Sequence, residues 1–375
     1  MIYNESKYNK DWNENKLSDL GVFSRGKSKH RPRNDERLFA GGKYPFIQTG
    51  DIKEANLYIK NHTQEYGEFG LKQSKLWNKG TLCITIAANI AETAILSYPA
   101  CFPDSVVGFN AYESQSSEIF MYYIFEYIKA SIQNAASGSI QDNINIDYLT
   151  TLNFKIPEKN YQDMIVALLG AIDKKIISNN DINDNLEQQM HLIFEDMMAK
   201  ATNNKIKGEF IVAKNLTQVI TGKEDANFSV SNGKYRFFTC SNTPLRCDEY
   251  AFNSSSVLIA GNGDFNVKHY SGKFNAYQRT YVLSPPKEYY ALLYLAALYR
   301  INSFKTGSSG SIVKFITKND VENIPVFMTH DSKYLDELNK LVIMQEQNIL
   351  ENELLVQLRD WLLPMLMNGQ ATISD

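Results

Sequence analysis

Between residues 161 and 198 the chain reads YQDMIVALLGAIDKKIISNNDINDNLEQQMHLIFEDMM, and its apolar positions recur every seven residues. One row holds Ile165, Ile172, Leu186 and Ile193; a second holds Leu169, Ile176, Met190 and Met197. The rows lie three and four apart, which is the seam of a coiled coil and predicts one continuous helix. At 1.5 Å per residue it would be roughly 55 to 60 Å long. Both rows meet polar residues midway, at Asn179 and Asn183. Residues 334–363 repeat the pattern with Leu335, Val342, Ile349, Val356 and Leu363, flanked by Leu341, Leu355 and Leu362, and here Gln345 and Asn352 interrupt the second row. No proline intervenes before Pro364, which is expected to end or kink the second helix. Two long helices with apolar stripes pack most simply on each other; the alternative is that each packs on its own domain. The polar seam positions leave two roles open. Facing each other they fix register by hydrogen bonding; facing outward they belong to a surface for partners.

The segments before the two helices also correspond. AASGSIQDNINIDYLTTLNFKIP precedes the first and GSSGSIVKFITKNDVENIPVF the second, so Gly138-Ser139-Ile140 matches Gly310-Ser311-Ile312 and Ile156-Pro157 matches Ile324-Pro325. Before each lies an apolar stretch of helical period, IFMYYIFEYIKASI and YYALLYLAALYRI. KYPF at Lys43 parallels KYRF at Lys234, and the strand-like runs TLCITIA and SVLIAG correspond. The FNAY shared at Phe109 and Phe274 falls out of this register and is read as coincidence. The order is therefore domain, helix, domain, helix, over residues 1–157, 158–200, 201–330 and 331–375.

Length agrees with this division, since 375 residues exceed the usual size of one hydrophobic core. Four cysteines, Cys83, Cys101, Cys240 and Cys247, have neither metal-ligand spacing nor the density of a disulfide framework, and read as reduced structural thiols. The start, MIYNESKYNKDWNENK, has no apolar signal core, and no window approaches eighteen apolar residues, so a soluble cytoplasmic protein with no membrane partner is expected. Net charge is −3, which by itself argues against nucleic acid. The average hides a partition: residues 201–330 carry 15 Lys and Arg against 9 Asp and Glu, whereas 158–200 carry 4 against 8 and 331–375 carry 3 against 8. The domains are neutral to basic and the helices acidic.

One stretch suggests a different chemistry. Gly21 to Ser28, GVFSRGKS, fits the phosphate-cradling pattern G-x-x-x-x-G-K-S of nucleotide hydrolases. That loop needs a buried strand before it and a helix after it. Here polar NENKLSDL precedes and KHRPRNDER, with Pro32, follows. The counterpart in the second half, VITGK ending at Gly222-Lys223, keeps only the Gly-Lys pair. A flexible basic loop is the better reading: Arg25, Lys27, Lys29, Arg31, Arg33, Arg37 and Lys43 face only Asp35 and Glu36 in charge, which suits contact with a phosphate backbone. Other enzyme signals fail. Ser284-Pro285-Pro286 begins like a motif of amino-group DNA methyltransferases, but Lys287 stands where an aromatic ring should stack on the flipped base. His191 lies on the long helix beside its apolar stripe, and no nucleophile, base and orienter come together.

Candidate DNA contacts follow from residue chemistry, with Gln and Asn suited to adenine edges, Arg to guanine, and small residues to close approach by phosphate. In the first domain these are Arg25, Lys27, Lys29, Arg31, Arg33, Gln48, Thr49, Ser137, Ser139 and Gln141. In the second they are Lys223, Lys234, Arg236, Asn242, Asn262, Lys268, His269, Arg279, Ser308, Ser309, Ser311 and Lys314. The two serine-glycine turns serve equally well as elements that only shape the fold.

Taken together, the domain-helix-domain-helix repeat, the SGSI turns and the terminal DWLLPMLMNGQ at Asp360 to Gln370 closely resemble the specificity subunit of Type I restriction-modification systems, over essentially the whole chain. The resemblance implies an α+β fold: two mixed α/β target recognition domains, related by a pseudo-twofold internal repeat and separated by two long helices that form an antiparallel coiled coil. It implies that each domain reads one half of a bipartite, asymmetric site in double-stranded DNA and that the helices set the gap. Catalysis is then absent from this chain, and so are cofactors. Two modification subunits would bind S-adenosylmethionine and methylate adenine, while restriction subunits would bring ATP and Mg for translocation and cleavage. Free chain should then bind DNA weakly. Three alternatives stand beside this reading: a recognition subunit of a Type IIB-like enzyme, a scaffold without a DNA role, and a P-loop nucleotide hydrolase.

Overall fold

The computed structural model describes residues 2–137, 144–263, 265–305, 315–329 and 331–373. It divides into two compact units, Met1–Ile177 with Asn352–Asp375, and Ser178–Glu351. In unit 1 the strands are β1 (Asn13–Lys16), β2 (Gly21–Arg25), β3 (Tyr44–Phe46), β4 (Tyr58–Ile59), β5 (Gln64–Tyr66), β6 (Leu76–Trp77), β7 (Leu82–Thr85), β8 (Thr93–Leu96), β9 (Ala100–Cys101), β10 (Val106–Ala111) and β11 (Asn153–Ile156). Its helices are α1 (Thr49–Glu54), α2 (Glu68–Gln73), α3 (Glu118–Ser137) and α4 (Ile146–Thr150), followed by α5 (Lys159–Thr202), which runs on into unit 2. Unit 2 contains β12 (Gly208–Val212), β13 (Val219–Thr221), β14 (Tyr235–Phe238), β15 (Leu245–Cys247), β16 (Phe252–Ala260), β17 (Val267–Ala276), β18 (Thr280–Leu283) and β19 (Pro325–Thr329). With them come α6 (Ala213–Leu216), α7 (Tyr290–Lys305), α8 (Lys318–Glu322) and α9 (Ser332–Met367), whose last turns belong to unit 1.

The main sheet of unit 1 has the order β2-β10-β7-β8-β4, and a second sheet the order β5-β3-β9-β6. Strand β7 shows why TLCITIA is apolar without alternation. Its side chains alternate faces, and both faces are buried: Leu82 and Ile84 join the core under α3 with Phe120, Met121 and Ile124, while Cys83 joins Trp77, Phe102 and Ile47 on the other side. Strand β16 of unit 2 does the same. Val257 and Ile259 pack with Leu292 and Leu295 of α7, and Leu258 with Phe238 and Phe274.

The internal repeat is present in the topology. The antiparallel run β2-β10-β7-β8 recurs in unit 2 as β13-β18-β16-β17, within a sheet of order β13-β18-β16-β17-β14-β15. KYPF and KYRF occupy equivalent strands: β3 pairs in parallel with β9 and β14 with β17. Each unit closes with a two-stranded ribbon, β1 with β11 and β12 with β19, directly before its long helix.

The long helices pair antiparallel within each unit. In unit 1 Asp173 of α5 meets Arg359 of α9, and Tyr161 meets Ala371 beyond its end. In unit 2 Asn179 meets Glu351, Asn183 meets Asn348, Glu187 meets Gln345, and Asp196 meets Tyr334. The stripe follows the predicted rows until Ile193, which is half-buried, and the buried place passes to Phe194. A straight helix of 3.6 residues per turn drifts out of a seven-residue repeat, so the shift is the expected one. Pro364 neither ends nor breaks α9, which continues to Met367. It lies within a turn of the helix end, where only the carbonyl four residues before it loses an amide partner.

Of the two roles left open for the polar seam, the structure selects the inward one. Asn179 is buried and its Nδ2 donates to Glu351 Oε2 at 2.7 Å; Asn348 Nδ2 donates to Asn183 Oδ1 at 2.9 Å. Such pairs fix register at a cost in stability. Replacing Asn179 and Glu351 together by leucine is expected to raise unfolding stability by about 1 kcal/mol, measured by urea denaturation. A lowered midpoint would contradict this account of the seam.

Candidate nucleic-acid interface

The GVFSRGKS stretch has the wrong local structure for a phosphate cradle. β2 is an edge strand paired with β10, and residues 26–35 leave it in a non-helical path. The amides a phosphate would need are already used: Gly26 N–H donates to Val106 O at 2.8 Å, Lys27 N–H to Phe102 O at 3.1 Å, and Lys29 N–H to Gln73 O at 3.0 Å. Gly26 is required because the chain passes against the β9–β10 turn. A Cβ there would sit 2.1 Å from Pro103 O.

The basic loop is held by two acids. Asp104 accepts Arg25 Nε through its backbone oxygen at 2.6 Å and Arg33 Nη2 through Oδ1 at 2.6 Å, and lies 3.6 Å from Arg31 Nη2. Asp35 takes Arg37 Nη2 at 2.6 Å and His30 Nε2 at 2.7 Å. The Arg37 and His30 side chains hold the Asp35 carboxyl well below the usual carboxylate range. Asp104 and Asp35 thus shape the loop, while Lys27, Lys29, Arg31 and Arg33 remain exposed.

Beside this loop is a groove of about 970 Å³ that brings Ser28, Arg33, Gln48 and Thr49 together. Among the further lining residues that escaped the sequence reading are Asn34, Gln64 and Ser105. Gln64 enters because β3 and β5 pair with Phe46 opposite Gln64, which puts Gln48 Nε2 3.0 Å from Gln64 Oε1. The only trace in the sequence is the polar run HTQEY, unremarkable without that register. Ala88, also on the groove, has a φ of 62°, a left-handed conformation uncommon for a residue with a Cβ.

Unit 2 builds the equivalent sheet end. Gly222 N–H donates to Thr280 O at 3.1 Å, and a Cβ on Gly222 would lie 2.0 Å from Ala276 O, so the shared Gly-Lys pair marks the same close passage in both units. Exposed Lys223 follows it. Gly261 N–H donates to Arg279 O at 2.8 Å, which sets exposed Arg279 beside Asn262. Asn266 Nδ2 donates to Cys240 O at 2.7 Å and Lys268 Nζ to Thr239 O at 3.3 Å, joining the turn that carries Asn242. Burial pulls the Lys268 ammonium down to about 8. Lys223, Asn242, Asn262, Lys268 and Arg279 therefore gather where β13, β14 and β16 end and β17 and β18 begin.

Two candidates fall away from this cluster. Lys234 precedes β14 and Arg236 lies in its first half, stacked 4.8 Å from the Tyr270 ring, both toward the opposite end of that strand. His269 is a correction. Alternation along β17 turns it to the face opposite Lys268, where its side chain is 6% exposed and its ring nitrogens meet Glu346 Oε1 at 3.2 Å and Gln345 Oε1 at 2.8 Å. It anchors the sheet to α9. Ser137 is the last residue of α3, and Ser139, Gln141, Ser308, Ser309, Ser311 and Lys314 lie outside the described residues. No helix among the described residues is long and apolar enough to cross a membrane.

Residues 9–188 match the family model described as "Type I restriction modification DNA specificity domain". The chain is 36% identical over 164 residues to the EcoDI type I restriction enzyme specificity subunit of Escherichia coli, covering 42% of this chain and 37% of that protein. It is 25% identical over 198 residues to the HindI specificity subunit of Haemophilus influenzae, covering 49% of this chain and 40% of that protein. The matched stretch thus spans less than half the length of either relative. In fold, the whole chain matches a crystal structure of the S subunit of a type I restriction-modification system from M. genitalium, with a TM-score of 0.60, 18% identity and 100% of both chains covered.

Proposed function

Residues 9–188 match the model of the type I restriction modification DNA specificity domain family, and from that match we propose that the chain is the sequence-reading subunit of a type I restriction-modification complex. The observation that carries this reading is the repetition of one sheet end. Unit 1 gathers Lys27, Lys29, Arg33 and Gln48 there, and unit 2 gathers Lys223, Asn262, Lys268 and Arg279. Basic side chains supply phosphate contact and amides supply base-edge contact. Two such faces in one chain suit a site with two different halves. The gap between the halves is assigned to α5 and α9, which contribute to both units.

The chemistry belongs to partners in this reading. Two modification subunits carrying S-adenosylmethionine methylate adenine, and restriction subunits use ATP and Mg. Exposed apolar side chains on α9, Leu354, Leu358 and Trp361 in unit 1 and Ile343 and Leu350 in unit 2, offer the modification subunits a surface to cover.

The test is DNA binding by the chain assembled with its modification subunits. Replacing Lys29 and Arg33 by alanine, or Lys223 and Arg279, removes two candidate phosphate contacts. Either pair is expected to weaken binding roughly tenfold or more and to lower the slope of log K against log salt by about 1 to 2. Unchanged affinity and slope in both variants would contradict the assignment of this face.

A further inference from the structure

The groove of unit 1 holds a pair of amides whose arrangement specifies a base. Gln48 is the N-cap of α1, and its own N–H is fixed by Asp51 Oδ2 at 2.7 Å. Gln64 is exposed and sits in β5 opposite Phe46 of β3. Gln48 Nε2 donates one hydrogen to Gln64 Oε1 at 3.0 Å. A primary amide has two N–H donors and a carbonyl acceptor. When Gln64 takes the N–H trans to Oε1, the cis N–H remains beside Oε1 on the edge of the amide away from it. That edge offers one acceptor and one donor side by side.

Adenine alone presents the complementary pair in the major groove, an N6 amino donor next to the N7 acceptor. Guanine presents two acceptors, while cytosine offers a donor and thymine an acceptor beside its methyl group. We propose that Gln48 reads an adenine of the half-site bound by unit 1, and that Gln64 is a positioning residue that locks the Gln48 amide with its oxygen toward N6. The proposal rests on the DNA-reading function and names one of its contacts. Without Gln64 the Gln48 amide turns over freely and presents its acceptor and donor in either order. An acceptor-only side chain at position 64 preserves the lock. A donor-only side chain inverts it, drawing Gln48 Oε1 inward and turning its amino group toward acceptors on the base.

The experiment uses the chain assembled with its modification subunits. Its site is first selected from a pool of random duplexes, and binding is then measured with each base at every position, and with 7-deazaadenine, which lacks N7, at each adenine. Wild type is expected to show one adenine in one half-site favoured about tenfold over other bases and weakened to a similar degree by 7-deazaadenine. Gln48→Leu and Gln64→Leu abolish both effects at that position, Gln64→Glu retains them, and Gln64→Lys shifts preference toward guanine or thymine. The other half-site, read in the same titrations, reports folding and assembly of each variant. Retention of the wild-type preference at every position by Gln48→Leu would overturn the proposal while leaving DNA reading intact. Loss in Gln64→Glu equal to that in Gln64→Leu would overturn the positioning role of Gln64. A wild-type complex that selects no site would remove the DNA-reading function and this proposal with it.

Discussion

Arg359→Met is expected to destabilise unit 1 by about 3 to 5 kcal/mol, because it strands a buried charge. Asp173 lies on the face of α5 turned to α9 and is 4% exposed. Its carboxylate receives Arg359 Nη1 at 3.0 Å and Tyr123 Oη at 2.6 Å. Burial, and then the neighbouring carboxylate, push the Tyr123 phenol far up, so it stays a neutral donor. The guanidinium is therefore the group that balances Asp173, and methionine would replace its stem but not its charge. The loss follows from the partner left behind, so Asp173→Asn combined with Arg359→Met should recover most of it. Urea unfolding of the free chain measures both, the first transition moving to lower urea in the single variant and back in the double. Equal midpoints for wild type and Arg359→Met would show that the pair carries no such weight.

Valine at Gly26 or Gly222 is the second large effect. The first Cβ contacts would be Pro103 O at 2.1 Å and Ala276 O at 2.0 Å, both backbone atoms that cannot swing aside. Forcing the strand out of this passage is expected to cost about 2 to 3 kcal/mol and to move the basic residues that follow it. Gly26→Val should lose discrimination in one half-site and Gly222→Val in the other, as read by binding of the assembled complex to duplexes altered in one half at a time. Gly50→Ala, where a Cβ would meet nothing within 4 Å, should leave stability unchanged. If both valine variants bound and melted as wild type, the close passage would not be what the shared glycine serves.

These two sites also show what a sequence discloses and what it withholds. The long helices were legible because burial on one face of a helix repeats with a fixed period; in α5 the period holds until the buried place passes to Phe194, while in α9 Ile349 and Val356 are only half-buried and Leu338 and Leu366 fill the core beside the predicted rows. The Gly-Lys pairs were legible through repetition, although the pattern around the first imitates a phosphate loop whose amides are in fact bound to Val106, Phe102 and Gln73. Asp173 was not singled out, since one acid among several on an acidic helix gives no sign that its partner lies 186 residues away. His269 was misplaced for a related reason. Lys268 and His269 are adjacent in sequence, but a strand sends neighbours to opposite faces, and which face is covered depends on where α9 packs. Gln64 became visible only through the pairing register of two three-residue strands, too short to carry a pattern of their own.

The central claim is that this chain decides which DNA sequence is modified. The direct measurement is a map of methylated adenines across the genome of cells that make the chain and its modification subunits, set beside cells lacking only the chain. The account predicts a bipartite, asymmetric methylated motif that disappears with the chain, and whose two halves change separately when the sheet-end residues of unit 1 or unit 2 are altered. A motif that persists without the chain would contradict it.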